Sequence, residues 1–231
     1  MKPGMRGGSF NILSESDLQR VHEASLSLLE NYGILSRSAS ILEVFQQNDT
    51  RVDCASGLIR VSPDMVENAL QTAPKSFVLH GRDPAMDLRL ESGRVYYGMG
   101  GASEPYFWDY DLGRPRPPTK ADMVNCTRLG QMLPNVDFVM ALCSAGDVPE
   151  GQVFLHDYDA IFRNTTKPVV YTAPGRRYAA WFLEMAAAAC GGEDNLRQRP
   201  WVAFFVTPTS PFQVTPLDEC IFEAGSRRCL R

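Results

Sequence analysis

The feature that most constrains the fold is an alternation of short apolar runs and helical stretches after about residue 94. Apolar runs at 136–142, 168–172 and 201–206 alternate with helix-like stretches near 152–163 and at 176–189. Alternation of this kind is typical of strands and helices that build a parallel sheet. The runs are almost continuously apolar, which favours strands buried on both faces. The sequence therefore predicts an α/β fold, with a barrel and a doubly wound sheet both open.

The front of the chain, residues 1–93, has a different, α+β pattern. Ser14 and Asp17 form a capping box ahead of apolar residues at helical spacing, and Gly33 suits the end of that helix. The remaining predicted elements are a helix at 39–46, a hairpin through 52–61, a helix from Pro63, and strands at 76–80, 86–90 and 94–97. We predict that residues 1–93 form an N-terminal helical and hairpin section that packs on residues 94–231.

The number of βα units indicates an incomplete barrel. Residues 94–231 supply about four units, whereas a closed barrel takes eight. A helix start near Pro216 is followed by residues 225–231, which add no strand. We expect a truncated barrel whose open edge and apolar face would promote aggregation or a homo-oligomer.

Composition and charge exclude several functional classes. The 23 Lys and Arg against 27 Asp and Glu give a net charge of -4, so no basic field is available for a nucleic-acid partner. No apolar run approaches the roughly 20 residues that cross a membrane, and the start of the chain does not resemble a secretory signal. The six cysteines form no CxxC pair. A cytoplasmic protein with reduced thiols is predicted.

A glycine-rich segment follows the strand predicted at 94–97. Gly98, Gly100 and Gly101 would let the backbone approach a ligand closely, and Tyr96 and Tyr97 precede them. Ser103 stands where a dinucleotide-binding GxGxxG motif needs its third glycine, so that motif is absent. The alternative is a plain turn or bulge.

Aromatic and acidic residues surround this glycine segment. Five aromatics lie within thirteen positions, interleaved with Glu104 and two further acidic residues: Tyr96, Tyr97, Tyr106, Phe107 and Trp108. Ring faces edged by carboxylates can hold a methylated ammonium ion, because such a cation is attracted to the ring quadrupole. The alternative is a set of ordinary core aromatics beside a solvated acidic loop.

Other candidate groups are less specific. Asp147 follows the strand at 136–142, at the end where barrel enzymes build their sites, although it could equally cap the next helix. His156, Asp157 and Asp159 would fan around a helix, so no metal site is predicted. The absence of a GxSxG elbow, a P-loop and an HExxH motif leaves hydrolase and NTPase activities without support.

Several short motifs in a fixed order resemble the trimethylamine methyltransferase family, which includes glycine betaine methyltransferases. The first covers 13–18, 22–25 and 29–34, in the opening helix. The others lie at 98–102, 109–122, 133–137, 147–149, 164–168, 191–192 with 199–200, and 210–211. Each is weak alone, but their order spans nearly the whole chain.

The resemblance implies a TIM-type barrel that transfers a methyl group from trimethylamine or a betaine to a corrinoid on a partner protein. The chain itself would bind no cofactor and no metal. The expected substrate-binding residues are Tyr96, Tyr97, Gly98, Gly100, Gly101, Glu104 and Asp147. The family's second half, which carries pyrrolysine in the trimethylamine branch, has no counterpart after about residue 224. A catalytically inactive remnant is therefore the alternative function.

Overall fold

The computed structural model describes residues 1–8, 10–48, 50–101 and 106–215. These residues form a mixed α/β structure. Its helices are α1 Glu15–Asn31, α2 Ala39–Gln46, α3 Pro63–Thr72, α4 Lys120–Met132, α5 Val153–Asn164, α6 Arg176–Ala189 and α7 Glu193–Gln198. Its strands are β1 Met5–Arg6, β2 Ile34–Ser36, β3 Arg51–Asp53, β4 Leu58–Arg60, β5 Ser76–Leu79, β6 Leu88–Glu91, β7 Arg94–Val95, β8 Phe107–Asp109, β9 Arg114–Arg116, β10 Val169–Tyr171, β11 Val202–Phe204 and β12 Gln213–Val214.

The chain divides into two compact units. Among the described residues, one comprises Met1–Gly7 and Ser76–Phe205, and the other comprises Gly8–Lys75 and residues 206–215. Strands β5, β6 and β7 lie in the same unit as the helices α4 to α7. The division after residue 93 stays a prediction. No helix in the described ranges is both long and apolar enough to cross a membrane.

In the unit from Gly8 to Lys75, local sequence signals place the helices. Ser14 Oγ accepts a hydrogen bond from Asp17 N at 3.2 Å, and the Asp17 carboxylate accepts one from Ser14 N, so α1 begins at the predicted capping box. The helix ends before Gly33, whose N–H donates to Leu28 O at 3.0 Å. Helix α2 has the predicted bounds, and α3 has Pro63 in its first turn. These predictions are confirmed.

A four-stranded sheet in the order β12-β2-β4-β3 completes this unit. The predicted hairpin is confirmed as the antiparallel pair β3–β4, and its Ile59 is fully buried in a small core with Leu42 and Val61. Strand β12 adds to β2 in parallel although nearly 180 residues separate them in the chain. No local pattern predicts a pairing at that separation.

Substitution of Gly33 by alanine is expected to destabilise the protein by about 3 kcal/mol. Gly33 has φ +79°, which costs an L residue energy, and a Cβ there would overlap the backbone oxygen of Ile59. Gly93 has the nearly equal φ of +78° but open space around it, so Gly93→Ala isolates the conformational cost of about 1 kcal/mol. Urea denaturation followed by circular dichroism measures both variants, and equal losses would contradict the steric argument.

The other unit is built on a parallel ladder of four chain segments. Gly98 pairs with Phe138, Val139 pairs with Val169, and β10 pairs with β11, all in parallel. We call these segments, with their extensions at 97–101 and 137–143, the parallel ladder. The crossovers between its segments contain α4, then α5, then α6 and α7. The described residues thus confirm a mixed α/β structure, in which helices connect parallel segments as the predicted βα alternation requires.

Burial along the ladder alternates from residue to residue. Val139, Ala141 and Cys143 are buried in the main core with residues of α5 and α6, whereas Met140 and Leu142 between them are only partly buried. The prediction that these strands are buried on both faces is therefore wrong for the described residues. Helices cover one face of the ladder. Within the described residues the ladder does not close into a barrel, so no barrel interior covers the other face. The partial TIM-type barrel stays a prediction.

Several elements were not predicted, among them the β8–β9 hairpin and helix α4. Strands β8 and β9 form an antiparallel hairpin where the sequence suggested an acidic loop. Helix α4 follows it, with a capping box between Thr119 and Asp122. Arg116 joins the two elements by ion pairs to Asp109 at 2.9 Å and to Asp122 at 2.6 Å. These contacts hold the pKa of Asp122 well below its usual range.

Candidate functional site

The candidate site is the edge of the parallel ladder where its segments end. Ligands of parallel α/β sheets bind at the carboxyl ends of the strands, because the helices that follow the strands begin there. A hollow of about 40 Å³ lies at this edge. Its lining comes from all four segments and includes Gly101, Met140, Val170, Thr172 and Phe205. The lining residues are therefore mainly apolar, and Tyr171 and Thr172 are the two that carry a hydroxyl.

The predicted glycines meet the neighbouring segment of the ladder. A Cβ at Gly98 would overlap the ring of Phe138, and one at Gly100 would lie 3.0 Å from Leu142 Cδ2. A Cβ at Gly101 would lie 2.9 Å from Met140 Cε. Only Gly101 of the three lines the hollow. The glycines thus make room for side chains of the next segment, and their approach to a ligand stays a prediction.

The structure does not bring the predicted aromatics together. Tyr96 OH donates to Arg89 O of β6 at 3.1 Å, and the side chain of Tyr97 is exposed. Tyr106 and Trp108 are exposed at the β8–β9 hairpin, whereas Phe107 packs against the core. No ring contact joins these five residues within the described part of the chain. Glu104 lies outside the described residues, and the roles of Tyr96 and Tyr97 in binding stay predictions.

Asp147 caps the preceding helix α4, whereas the alternative interpretation was a cap of the following helix α5. Its Oδ1 accepts a hydrogen bond from Lys120 N at 2.7 Å, in the first residue of α4. The next helix, α5, follows a 3-10 turn at Glu150–Gln152 and has no side-chain cap. A carboxylate at the start of α4 also interacts favourably with the helix dipole. The structure thus gives Asp147 a helix-capping contact, and a binding role stays a prediction.

The structure reveals a buried carboxylate behind the ladder edge, at a residue for which the sequence predicted no site. Asp157 on α5 is fully buried, its Oδ1 accepts from Ala145 N at 2.8 Å, and its Oδ2 accepts from Tyr171 OH at 3.0 Å. The Ser144 side chain also hydrogen-bonds this carboxylate. Burial raises the pKa of Asp157 and the pKa of Tyr171. Asp157 therefore fixes the loop after one ladder segment to the end of β10.

One sequence signal could have found Asp157. It stands between apolar residues that share its face of α5, since Ile161 follows four positions later and is also buried. A carboxylate on the apolar face of a helix must find donors inside the protein. Its neighbours His156 and Asp159 instead contact Lys120 Nζ, at 3.0 and 2.7 Å. No cluster of three or more potential metal ligands occurs in the described ranges.

An aromatic cluster does exist, but it packs between the ladder and the helices. Tyr158 meets Tyr171 edge to face, with ring centroids 5.4 Å apart, and meets Phe182 at 4.9 Å. All three side chains are buried, so this cluster is core. Nearer the surface, the guanidinium of Arg177 lies 4.2 Å from the ring centroid of Trp181 at the start of α6. That ring face already holds a cation of the chain itself.

Comparison with known proteins identifies the family. The family model described as Trimethylamine methyltransferase (MTTB) matches residues 3–227. Trimethylamine methyltransferase MttB of Desulfitobacterium hafniense (strain DSM 10664 / DCB-2) is 34% identical over 218 residues, which cover 93% of this chain and 43% of the relative. The glycine betaine methyltransferase of strain Y51 is 26% identical, with 88% and 42% covered.

A further relative is trimethylamine methyltransferase MttB1 of Methanosarcina acetivorans, which is 24% identical and matches 91% of this chain and 43% of its own length. The chain thus spans less than half the length of these relatives. The family match nevertheless covers almost the entire chain. The chain therefore belongs to the trimethylamine methyltransferase family.

Proposed function

We propose that this chain carries the substrate-facing N-terminal portion of a methyltransferase. The donor would be a tertiary or quaternary methylamine, either trimethylamine or glycine betaine, and the acceptor a corrinoid on a separate partner protein. The match of the family over residues 3–227 carries this proposal. Its relatives are named as methyltransferases of these two substrates. The four-segment ladder further supports a half barrel as the scaffold, since each crossover contains a helix.

The candidate edge suits a methyl group better than a polar substrate. Met140, Val170 and Phe205 give the hollow an apolar wall, which would exclude water from a bound methyl group. A reduced corrinoid supplies the nucleophile in this chemistry, so the residues of this chain need only bind and orient the amine. The hollow of about 40 Å³ is far too small for a corrinoid ring. The proposal therefore places the corrinoid on the partner protein and only the amine against this chain.

Ligand binding by the full 231-residue chain tests the proposal. Calorimetric titration should show saturable binding of trimethylammonium or glycine betaine. The matched control is 3,3-dimethylbutyrate, which has the shape of glycine betaine without its positive charge and should bind much more weakly, because an aromatic ring such as that of Phe205 in the lining attracts the cation. Substituting Met140→Gln should weaken binding by placing an amide in the apolar wall.

Methyl transfer is the second readout. A longer relative carrying residues 1–215 of this chain in place of its own N-terminal portion should methylate a reduced corrinoid protein. If neither protein binds a methylated ammonium ion and no corrinoid is methylated, the proposal is wrong.

The second candidate function is a catalytically inactive remnant of such an enzyme. It is favoured by the coverage of only 43% of the relatives and by β11, which pairs only with β10 within the described residues. An open strand edge and a partly exposed apolar face promote self-association. Sedimentation of the full chain should then show oligomers or insoluble protein. A cooperatively melting monomer that binds a methylated ammonium ion would contradict this candidate.

A further inference from the structure

The hairpin formed by β8 and β9 presents large apolar side chains to the solvent. Trp108 of β8 is 57% exposed and pairs across the hairpin with Pro115, which is also exposed. Its neighbour Phe107 packs against the main core, so the two faces of the hairpin differ in burial but not in polarity. We call the exposed apolar side chains at and beside the hairpin the hairpin patch: Tyr106, Trp108, Tyr110, Leu112 and Pro115.

The hairpin is tied to the ladder edge that contains the candidate site. It follows the ladder segment 97–101 in the chain, and Gly101 of that segment lines the hollow. The chain after the hairpin lies against the loop that follows segment 137–143, because Gly146 N donates to Pro118 O at 3.0 Å. Both ladder segments end at the edge where the hollow lies. The hairpin patch is therefore a surface feature of this edge.

We propose that the hairpin patch is the docking surface for the partner protein that carries the corrinoid. This inference rests on the proposed function, since it assigns a surface to the methyl acceptor of that reaction. A methyl group held at the hollow can reach the cobalt only if the partner docks at this edge, because the hollow of about 40 Å³ cannot take in a corrinoid ring. The partner must then contact the surface around the hollow, where the hairpin patch lies.

The composition of the patch fits a protein partner. Tyrosine and tryptophan are enriched at the energetic centres of protein interfaces, where their rings bury a large area. A group of exposed apolar side chains on one element is typical of an interaction site. A second copy of this chain is the other candidate occupant, but it would cover the edge that the methyl acceptor has to reach. The position of the patch therefore favours the corrinoid protein.

The hairpin is held in shape before any partner binds. The Asp109 carboxylate accepts hydrogen bonds from two backbone groups of the turn, Asp111 N at 3.1 Å and Leu112 N at 2.9 Å. Asp109 also pairs with Arg116 of β9 at 2.9 Å, and Arg116 pairs with Asp122 of α4 at 2.6 Å. A backbone fixed in this way loses little conformational entropy when a partner docks, so more of the contact energy contributes to affinity.

Binding of a corrinoid protein to the full 231-residue chain tests the surface. The probe is a purified corrinoid protein of Desulfitobacterium hafniense that accepts methyl groups from trimethylamine, since a relative of this chain comes from that organism. Biolayer interferometry should show a rise in Kd of about 30-fold for Trp108→Ser and about tenfold for Tyr110→Ser. Tyr110 is 89% exposed, so its variant keeps the test decisive even if Trp108→Ser fails to fold.

Phe77→Ser is the matched control. Phe77 is 58% exposed, much like Trp108, but its strand β5 leads to His80, whose N–H donates to Pro200 O just before β11. The beginning of β11 lies at the opposite edge of the ladder. Phe77→Ser should therefore bind the corrinoid protein as the wild type does. Calorimetric titration of trimethylammonium into the wild type and the variants should give one common Kd, because the patch does not line the hollow.

The two readouts separate the possible failures. If the wild type binds trimethylammonium, but the hairpin variants bind the corrinoid protein within about threefold of the wild type, the docking surface is refuted and the proposed function is not. Failure of the wild type to bind any methylated ammonium ion would overturn the proposed function and the docking surface with it. Sedimentation adds a third outcome: a wild-type dimer that both hairpin variants dissociate would assign the patch to a second copy and overturn the proposal.

Discussion

Replacement of Arg82 by methionine is expected to lower the free energy of unfolding by about 4 kcal/mol. The guanidinium of Arg82 lies between the ends of two helices. It donates to Phe162 O and Thr165 O at the end of α5, and to Ala189 O at the end of α6 at 3.2 Å. A cation at a helix C-terminus is further stabilised by the helix dipole. Methionine would leave three carbonyls without this donor.

Arg82 is bound by more than hydrogen bonds. Its guanidinium carbon lies 5.0 Å from the ring centroid of Trp201, which is almost fully buried. Burial lowers the pKa of Arg82, and its Nε has no hydrogen-bond partner among the described residues. The arginine is therefore kept at a desolvation cost, which its helix-end contacts offset.

Two further variants separate the causes of this loss. Arg82→Lys keeps the charge, but a single ammonium group cannot reach both helix ends in the same way, so about half of the loss is expected to remain. Arg163→Met is the matched control, because that arginine is 78% exposed and, within the described residues, its ion pair is with Asp159 on its own helix. It should cost less than about 1 kcal/mol. Urea denaturation followed by circular dichroism measures all three, and a loss below about 1 kcal/mol for Arg82→Met would contradict the argument.

Replacement of Asp157 by leucine is the second large expected effect, a loss of about 3 kcal/mol. The carboxylate is fully buried and accepts hydrogen bonds from Ala145 N and Tyr171 OH. Leucine has a similar size but accepts none, so Ala145 N would stay buried without this acceptor and Tyr171 would keep only its hydrogen bond with the Ser144 side chain. Asp157→Asn should cost less than about 1 kcal/mol, because its oxygen accepts from Ala145 N while the Tyr171 hydroxyl turns to accept from the amide.

The pH dependence of stability gives an independent measure. Burial raises the folded-state pKa of Asp157 above the ordinary value of 3.8. Between 3.8 and the raised pKa the folded state keeps a proton that the unfolded state has lost. The contribution of this group to the free energy of unfolding therefore falls as the pH rises through that window, and then stays constant.

The asparagine variant lacks this titration. Denaturation of both proteins from about pH 2 to pH 8 should show the wild type losing stability relative to Asp157→Asn as the pH rises through the window above 3.8, whereas the window of the control described next lies below 3.8. The control Asp159→Asn, two residues further along α5, removes a partly exposed carboxylate paired with Lys120 at 2.7 Å. Its own difference from the wild type should change in the opposite direction, since its contacts lower the pKa of Asp159. Parallel pH profiles for the two variants would refute the assignment.

The sequence predicted those elements whose signals are local. The capping box at Ser14, the proline at the start of α3 and the apolar periodicity of α6 act within one or two helical turns. The hairpin β3–β4 is equally local. The family was also recognisable, because it rests on ordered short motifs and needs no knowledge of how they meet in space.

The predicted aromatic site depended on a contact that sequence spacing does not supply. Neighbours in the chain such as Tyr96 and Tyr97 point to different surroundings, since successive residues of an extended segment face opposite sides. Asp147 likewise meets α4, which precedes it by 27 residues, instead of the helix that follows it. These contacts depend on how the helices and the ladder pack against each other, which sequence spacing does not show.

The sequence by itself determined the family, the alternation of strands and helices after about residue 94, and the bounds of the helices whose caps and apolar spacing are local, such as α1, α2 and α6. Only the tertiary structure decided which polar side chains become buried. Lys167 illustrates the difference: its Nζ donates to Gly130 O at 2.6 Å and Leu133 O at 2.8 Å, at the end of α4, and burial lowers its pKa to about 8. The physical reason is that a helix cap satisfies donors within a few residues, whereas Lys167, Arg82 and Asp157 satisfy groups that packing alone brings within reach.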